Sequence, residues 1–380
     1  MTLPAYPAAR AVAPTVYEHF ARHTAEAQSR GDHVVSALPD TAAIEAMIDA
    51  AFWASLRREE SYVPKISLAF LAPDHTGHPL IFEQPLALDA ASLVRLAPAV
   101  ERAGIHIGVW RRNGELIVWG TAHAIPTLCL VIEVAAPGLL VVKHHRGEET
   151  AKYVNVAVLE GDQIKIVDEQ SSSTPPDCPS LLSSLLGFDS PGTWVSSVNL
   201  LVQLAVSMRA HGRGGLLLVV PAAGESWHES IVQPIQYAIA PAFGQLALLN
   251  RDAPEVKRTR AWQDEVSRVV ASIAGLTAVD GATVMTTDYD VLAFGAKISR
   301  KKGSPQVEQV AVTEPIQGGA ATTQHPTQLG GTRHLSAAQF VHDQHDAVAL
   351  VASQDGRFTV FAWSGCEETV HAHRVEALLM

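Results

Sequence analysis

The sequence predicts an α/β fold, because short apolar runs typical of strands alternate with segments of helical periodicity along the chain. Hydrophobic residues make up 47% of the 380 residues and charged residues 18%, which suits a chain with a packed core and excludes a disordered one. At this length two domains are expected. The polar, Ser/Pro-rich stretch 169–179 has no periodicity and marks the boundary. We therefore predict a flexible arm at 1–14, an N-terminal α/β domain at 15–170, a linker at 171–194 and a C-terminal domain at 195–380.

The N-terminal half is expected to open with a helix and continue as strands. Apolar residues at helical spacing predict a helix over 43–58 with Thr41 as its N-cap, and a second helix over 89–102. Asn113-Gly114 between two apolar runs indicates a hairpin turn, and residues 160–162 are typical of another tight turn. The strands are predicted at 65–71, 79–83, 104–111, 116–120, 128–134, 138–143, 153–159 and 163–168.

The C-terminal half mixes the same kinds of element. A run of five apolar residues at 216–220 predicts a buried strand, and residues 303–330 are polar enough to predict a long loop. The remaining elements are helices at 195–211, 262–273 and 336–341, an apolar hairpin at 282–295, and closing strands at 347–353 and 357–362.

The two halves share a faint repeat. Without gaps, residues 105–120 align with 280–295 strand for strand, and both segments end on Gly. Residues 79–85 align with 215–221 in the same way. A degenerate duplication is one interpretation, and the chance similarity of two α/β hairpins is the other. In a duplication the first copy would lack an acidic residue, because Ile105 stands where the second copy has Asp280.

Charge and composition exclude several classes of protein. The formal net charge of −11 offers no overall electrostatic attraction for nucleic acid, so a phosphate site would have to be local. Three widely spaced cysteines favour free thiols in a reducing compartment over a disulfide framework. The first residues lack the pattern of a signal peptide, and no apolar run reaches the length of about 18 residues that a spanning helix needs. We expect a cytoplasmic protein that binds neither nucleic acid nor a membrane.

Two short motifs in the last third of the chain contain residue types suited to binding a metal ion and phosphate. Asp280-Gly281-Ala282 opens the apolar hairpin, and Gly331-Thr332-Arg333-His334 opens the next helix. A carboxylate such as that of Asp280 is a hard oxygen ligand for Mg²⁺ or Mn²⁺. A helix N-terminus favours phosphate through its free N–H groups and dipole, and Arg333 adds a bidentate donor.

The order of these segments resembles the diadenylate cyclase domain, the catalytic domain of the DNA-integrity scanning protein and its relatives. In that family Asp-Gly-Ala opens a hairpin, Gly-Thr-Arg-His-Arg-Ala-Ala opens the following helix, and a strand ending in Ser-Glu-Glu-Thr-Gly comes next. The resemblance covers roughly residues 195–365. It implies a mixed β-sheet flanked by helices, a homodimer whose two domains meet face to face, and the joining of two ATP molecules into cyclic di-AMP.

The resemblance also implies roles for individual residues. Asp280 would hold Mg²⁺ or Mn²⁺ together with an ATP-like nucleotide or a cyclic dinucleotide. The other implied contacts are Gly281 and Ala282 at the base or ribose, Thr332, Arg333 and His334 at phosphate, and Ser353 in the wall of the pocket.

Departures from the family pattern favour binding over catalysis. The second Arg of Arg-His-Arg is Leu335, and the acidic strand end is reduced to Ser353-Gln354-Asp355-Gly356. The loop between the two motifs is also longer than the family pattern. This combination resembles the divergent branch with an extra N-terminal domain, the DACNV sensor domain. We therefore expect a nucleotide-binding sensor, with an active diadenylate cyclase and a non-enzymatic interaction scaffold as the alternatives.

Simpler interpretations exist for each motif and its neighbours. Asp-Gly is a common turn, and Arg333 with His334 is also typical of a solvated helix start. Gly212–Gly215 precedes a strand instead of following one, so it is expected to be a turn and not a dinucleotide fingerprint. Trp227 is expected to pack in the core, and His371 with His373 lacks the partner ligands of a zinc site.

Overall fold

The computed structural model describes residues 4–31, 36–58, 63–102, 104–145, 153–168 and 200–380. They group into two compact units, residues 1–167 with Met380 and residues 168–379. Each unit contains a mixed β-sheet flanked by helices, which confirms the predicted α/β class. The predicted linker 171–194 lies outside the described residues.

The first unit has three α-helices among its described residues, α1 (Pro7–Ser29), α2 (Thr41–Ser55) and α3 (Ala90–Leu96). Its sheet has the order β2-β4-β3-β1-β5-β6-β7-β8. Only β1 and β3 of these described neighbours pair in parallel. The strands are β1 (Ser67–Phe70), β2 (Leu80–Ala87), β3 (His106–Arg112), β4 (Glu115–Ala122), β5 (Leu130–Ala136), β6 (Leu139–His145), β7 (Tyr153–Glu160) and β8 (Gln163–Ile166).

Three local predictions for this unit need correction. Helix α1 begins inside the predicted flexible arm, which is therefore wrong from Pro7 onward. Proline is tolerated in a first helical turn, and Val12, Val16 and Phe20 follow at helical spacing with their side chains buried. The N-cap of α2 is not Thr41 but the preceding Asp40, whose Oδ1 accepts from the N–H of Ala43 at 2.7 Å. Helix α3 is shorter than predicted, because a 3₁₀ turn that contains Pro98 follows it.

The second unit is built around a longer mixed sheet, with the order β10-β12-β11-β9-β15-β16-β17-β13-β14. Two neighbouring pairs are parallel, β9 with β11 and β13 with β17. The strands are β9 (Gly215–Val220), β10 (Tyr237–Phe243), β11 (Ala282–Thr286), β12 (Val291–Ala296), β13 (Val310–Thr313), β14 (Thr322–Gln324), β15 (Val348–Ala352), β16 (Phe358–Ser364) and β17 (Thr369–Arg374). The α-helices among the described residues of this unit are α4 (Leu200–Ala210), α5 (Gln245–Asn250), α6 (Pro254–Lys257), α7 (Arg260–Thr277), α8 (Pro326–Leu329) and α9 (Thr332–Asp343).

The sheet of the second unit lies between two apolar layers. Every residue of β9 is buried, as expected for a strand covered on both faces. Leu217 and Val219 pack with α4 and α7 on one face, while Leu216 and Leu218 pack with α9 on the other. The alternation follows from the two-residue period of a strand.

The long loop predicted at 303–330 is partly regular structure. It contains β13, β14 and α8, and β13 pairs with β17 while β14 pairs with β13. Val310 and Val312 are buried, and they anchor β13 to the sheet. Strand β13 was not predicted, because it is only four residues long and the surrounding sequence is polar.

The two sheets share one strand order. The run β2-β4-β3-β1-β5-β6-β7 has the same neighbours and the same relative directions as β10-β12-β11-β9-β15-β16-β17. The alignment of 105–120 with 280–295 also agrees with the register, since it superimposes the pair Val109–Val118 on the pair Val284–Ala293. The alignment of 79–85 with 215–221 is wrong, because β1 holds the place of β9 and β2 holds that of β10.

Candidate functional site

Three strands of the second unit bring candidate residues to one edge of the sheet. β11 runs parallel to β9, with Thr283 opposite Leu217, so both strands start at this edge. β15 runs antiparallel to β9 and ends there, with Ala352 opposite Gly215. Asp280 therefore precedes β11, Gly214 precedes β9 and Ser353 follows β15 at the same edge. We call this the Asp280 edge.

Arg333 reaches the Asp280 edge from the first turn of α9. A Cβ atom built on Gly214 would lie 2.7 Å from its Nη1 atom, so the guanidinium lies against the backbone of Gly214. The same position is 3.4 Å from the carbonyl oxygen of Ala352, at the end of β15. The absence of a side chain at Gly214 thus leaves room for Arg333 between the starts of β9 and β11 and the turn at 353–356.

Asp280 is exposed and surrounded by positive charge. Its side chain is 93% exposed, and its Oδ2 lies 2.5 Å from Nζ of Lys297. The hydrogen bond and charge of Lys297 lower the pKa of this carboxyl below its usual range, and the charge of Arg333 lowers it further. The carboxylate is therefore ionised at neutral pH, and the two motif halves lie within electrostatic range of each other.

The geometry of the hairpin explains why small residues occupy positions 281 and 282. Gly281 has φ 115°, and a Cβ atom there would lie 2.5 Å from the carbonyl carbon of Gly295. Close approach of the protein's own backbone thus explains this glycine. Ala282 is 1% exposed and packs in the layer under α9, so only its backbone is near the Asp280 edge.

The first turn of α9 presents Thr332 and encloses His334. Thr332 is exposed, and the N-cap Gly331 supplies no side chain to bind the free N–H groups of the helix start. His334 is 2% exposed, and within the described part of the chain neither ring nitrogen has a hydrogen-bond partner. Burial lowers its pKa to about 4, with opposing smaller effects of Asp355 and of Arg357 and Arg333. The imidazole is neutral at pH 7.

Two residues of the edge escaped the sequence analysis. Lys297 directly follows β12, whose Ala296 lies opposite Ala282, so the hairpin register could have placed this lysine beside Asp280. Tyr237 starts β10, is 41% exposed and stacks on Phe294 at 4.8 Å between ring centroids. Its ring also lies 2.8 Å from the position of a Cβ built on Gly295. Nothing in the local sequence indicated this aromatic pair, because it depends on the pairing of two strands.

The donors near Asp280 suit a metal ion only in company with a ligand. Asp280 supplies one carboxylate, and no group of three or more His, Cys, Asp or Glu side chains in the described ranges is arranged to hold a metal. Mg²⁺ is often bound by one or two carboxylates together with the phosphates of its substrate. The residues therefore fit a cation shared with a nucleotide, in competition with Lys297.

The other candidate groups have structural partners. Residues 212–214 turn into β9, with positive φ at Gly212 and Gly214, and Gly215 is the first residue of the strand. Trp227 is 5% exposed and belongs to the core, as predicted. In β17, His371 lies 2.9 Å from Oε2 of Glu367, and Nδ1 of His373 lies 2.7 Å from the hydroxyl of Thr313. Each of the two imidazoles therefore has a hydrogen-bond partner on one ring nitrogen.

Comparison with known families finds a similarity in the first unit. Residues 33–123 match the family described as "Probable sensor domain DACNV". The matched range runs from before α2 to the residue after β4, and it includes neither Asp280 nor Arg333. Part of the first unit is thus similar to a probable sensor-domain family, while the Asp280 edge lies outside the match.

Curated proteins and solved structures add little to this result. No curated protein matches the chain. Among the matching structures is the crystal structure of a hypothetical membrane spanning protein from Bacillus cereus, with 15% identity and a TM-score of 0.26. The alignment covers 47% of this chain and 63% of that one, so less than two thirds of that protein's length is spanned. A similarity at this TM-score supports no argument. Within the described ranges no helix is long and apolar enough to cross a bilayer.

Proposed function

We propose that the second unit binds a nucleotide at the Asp280 edge and that the chain acts as a nucleotide sensor without turning the nucleotide over. The observation that carries this proposal is that Asp280 and Arg333, which are far apart in the sequence, lie at the same edge of the sheet, Arg333 against Gly214 and Asp280 before the neighbouring strand β11. The match of residues 33–123 to a probable sensor domain supports the sensor part.

The edge offers separate contacts for the parts of a nucleotide. Arg333 and the uncapped start of α9 provide donors and positive potential for phosphate. Lys297 adds a second cation, and Asp280 can hold Mg²⁺ or Mn²⁺ once the phosphates complete its shell. The exposed ring of Tyr237 is a surface on which a base can stack.

The same surroundings argue against catalysis. The pattern of the diadenylate cyclase domain has a second arginine at the start of this helix and an acidic strand end. In this chain Leu335 stands in place of that second arginine, and Gln354 lies in the segment that corresponds to the strand end. Phosphoryl and nucleotidyl transfer depend on positioned positive charge and metal ions around the reacting phosphate. A site with fewer of these groups retains charge attraction for a nucleotide and loses stabilisation of the transition state.

Binding is tested by calorimetric titration of the full chain with ATP and with cyclic di-AMP, each with and without Mg²⁺. We expect Arg333→Gln to weaken binding by about 10- to 100-fold, the loss expected for a hydrogen bond to a charged group. Asp280→Asn should weaken binding when Mg²⁺ is present and not when it is absent. The exposed residues Arg258 and Asp264 provide matched controls through Arg258→Gln and Asp264→Asn.

Different results would contradict the nucleotide site and the sensor interpretation. Absence of binding by either ligand, or equal losses in the control variants, would overturn the nucleotide site. Formation of cyclic di-AMP from ATP and Mn²⁺ by the purified chain would overturn the sensor interpretation in favour of a cyclase. Loss of binding in the two site variants together with an absence of product supports the proposal.

A further inference from the structure

A cavity of about 340 Å³ lies at the opposite edge of the same sheet. Pro221 follows β9 and Ala347 precedes β15 in its wall, so it lies at the end of β9 away from Asp280. Its polar and aromatic wall includes Trp227, Lys301, Asp343, His345 and Asp346. None of the residues predicted to bind a nucleotide lines it.

The position and size of the cavity suit a small ligand. Crevices beyond the carboxyl ends of parallel strands are the usual ligand sites of α/β sheets, and β9 and β11 both end here. The volume is at the lower end of the roughly 300–1,000 Å³ typical of small-molecule pockets. It therefore favours a ligand about the size of an amino acid or a diamine over a nucleotide.

Hydrogen bonds hold the wall in place before any ligand arrives. The side-chain amide of Gln344 donates to the carbonyl oxygen of Ser226 at 3.0 Å and to the hydroxyl of Ser230 at 2.9 Å. The buried carboxylate of Asp343 accepts from the backbone N–H of Lys301 at 2.8 Å and from the amide of Gln339 at 3.0 Å. A wall fixed in this way loses little entropy when a ligand binds.

The charges around the cavity favour a cation. The ammonium of Lys301 is paired with Glu229 at 2.9 Å, which neutralises the positive charge of the wall. The carboxylate of Asp343 is buried and accepts hydrogen bonds from the protein, whereas Asp346 is an exposed carboxylate of the wall. The C-terminal end of α9 adds the negative end of its helix dipole. His342 lies 3.2 Å from Asp343. Trp227 lines the cavity but is 5% exposed and stacks on His228 at 3.7 Å between ring centroids, so it contributes a small part of the apolar wall.

We propose that this cavity is a second ligand site, which takes a small organic cation carrying an ammonium or guanidinium group. The site is independent of the Asp280 edge. Asp346 provides the charge that the ligand meets, and the pair Lys301–Glu229 sets the net charge of the wall. The apolar part of the wall is small and is shared by Pro221, Trp227 and Ala347.

The probe is agmatine, which carries both cationic groups, and succinate is the anionic comparison. Calorimetric titration of the full chain should show saturable binding of agmatine and none of succinate. Asp346→Asn should weaken agmatine binding by about two- to fivefold, the range for an exposed ion pair. Lys301→Met should strengthen it by a similar factor, because it removes the cation and leaves Glu229 unpaired. Asp264→Asn and Lys302→Met are matched controls at exposed positions outside the cavity wall.

The opposite signs of the two substitutions distinguish this site from a general loss of folding, which would weaken binding in both variants. Succinate binding with the signs reversed would overturn the assignment to a cation. Absence of binding by both probes, or agmatine binding unchanged by Asp346→Asn and Lys301→Met, would overturn the site. These results do not depend on nucleotide binding, which is measured with the Asp280 and Arg333 variants.

Discussion

Gly281 shows how backbone geometry fixes one residue of the candidate site. Its φ of 115° lies in a region that side chains rarely adopt, and Gly295 occupies the space in which a Cβ would project. Glycine here keeps the start of β11 against the end of β12. That contact also sets the place of Asp280 next to Lys297.

Gly281→Ala should therefore destabilise the chain by about 1–3 kcal/mol, the cost of a strained backbone, before any cost of the contact with Gly295. Urea denaturation monitored by circular dichroism measures the change. Gly275→Ala is the matched control, since Gly275 is in α7 and a Cβ there would meet nothing within 4 Å. In the helix this alanine should stabilise the chain by about 0.5–1 kcal/mol. Equal stability of both variants would show that Gly281 is not constrained.

At the scale of elements, α9 joins the two sites that we propose in the second unit. Its first turn carries Arg333 at the Asp280 edge, and its last residue, Asp343, forms part of the cavity wall. His334 fixes the first turn against the sheet. Its ring fills the space where a Cβ on Gly330 would lie, 2.3 Å from Nδ1, and it meets Phe361 edge-on at 6.0 Å.

The buried imidazole makes this contact dependent on pH. The pKa of His334 falls to about 4 in the folded chain from 6.5, so the unfolded chain binds the proton more readily. The stabilising contribution is complete above pH 6.5 and is lost as the pH falls toward about 4. His334→Gln should lower the dependence of unfolding free energy on pH in this window by up to about 1.4 kcal/mol per pH unit.

Denaturation of both proteins at a series of pH values between these limits tests the His334 prediction. The difference between the two profiles isolates His334 from His106 and His373, whose pKa values are also lowered, to about 4 and about 3. An NMR titration of the imidazole provides a second readout in the unaltered chain. Protonation of this ring near pH 6.5 while the chain remains folded would contradict the prediction.

The elements that sequence could predict are those whose signal is local. The five-residue apolar run of β9 and the Asn113-Gly114 turn were sufficient, and the structure contains both. Strand β10 was not predictable in this way, because its exposed residues and its Pro241 lack the pattern of a buried strand. The motifs that contain Asp280 and Arg333 can be read from the sequence. Their placement at one edge of the sheet, and the contact of Asp280 with Lys297, depend on strand register and cannot be read in this way.

The whole molecule contains the same sheet order twice, but only one copy carries the candidate chemistry. In the first unit Ile105 aligns with Asp280. Residues 123–129, between β4 and β5, form no helix, whereas α9 precedes β15 in the second unit. The first unit therefore lacks counterparts of both the acidic residue and the helix start that we propose to bind phosphate. A shared sheet order does not imply a shared site, because a binding site depends on single residues and on one element.

This asymmetry predicts one ATP per chain. Calorimetric titration with ATP and Mg²⁺ should give a stoichiometry of one, and the double variant Asp280→Asn/Arg333→Gln should remove the saturable signal completely. Ile105→Asp should not create a second site, because the first unit still lacks a helix at the position of α9. A stoichiometry of two, or a saturable signal left in the double variant, would place nucleotide binding outside the Asp280 edge. A stoichiometry of one ATP for two chains would instead require a site completed by a second copy.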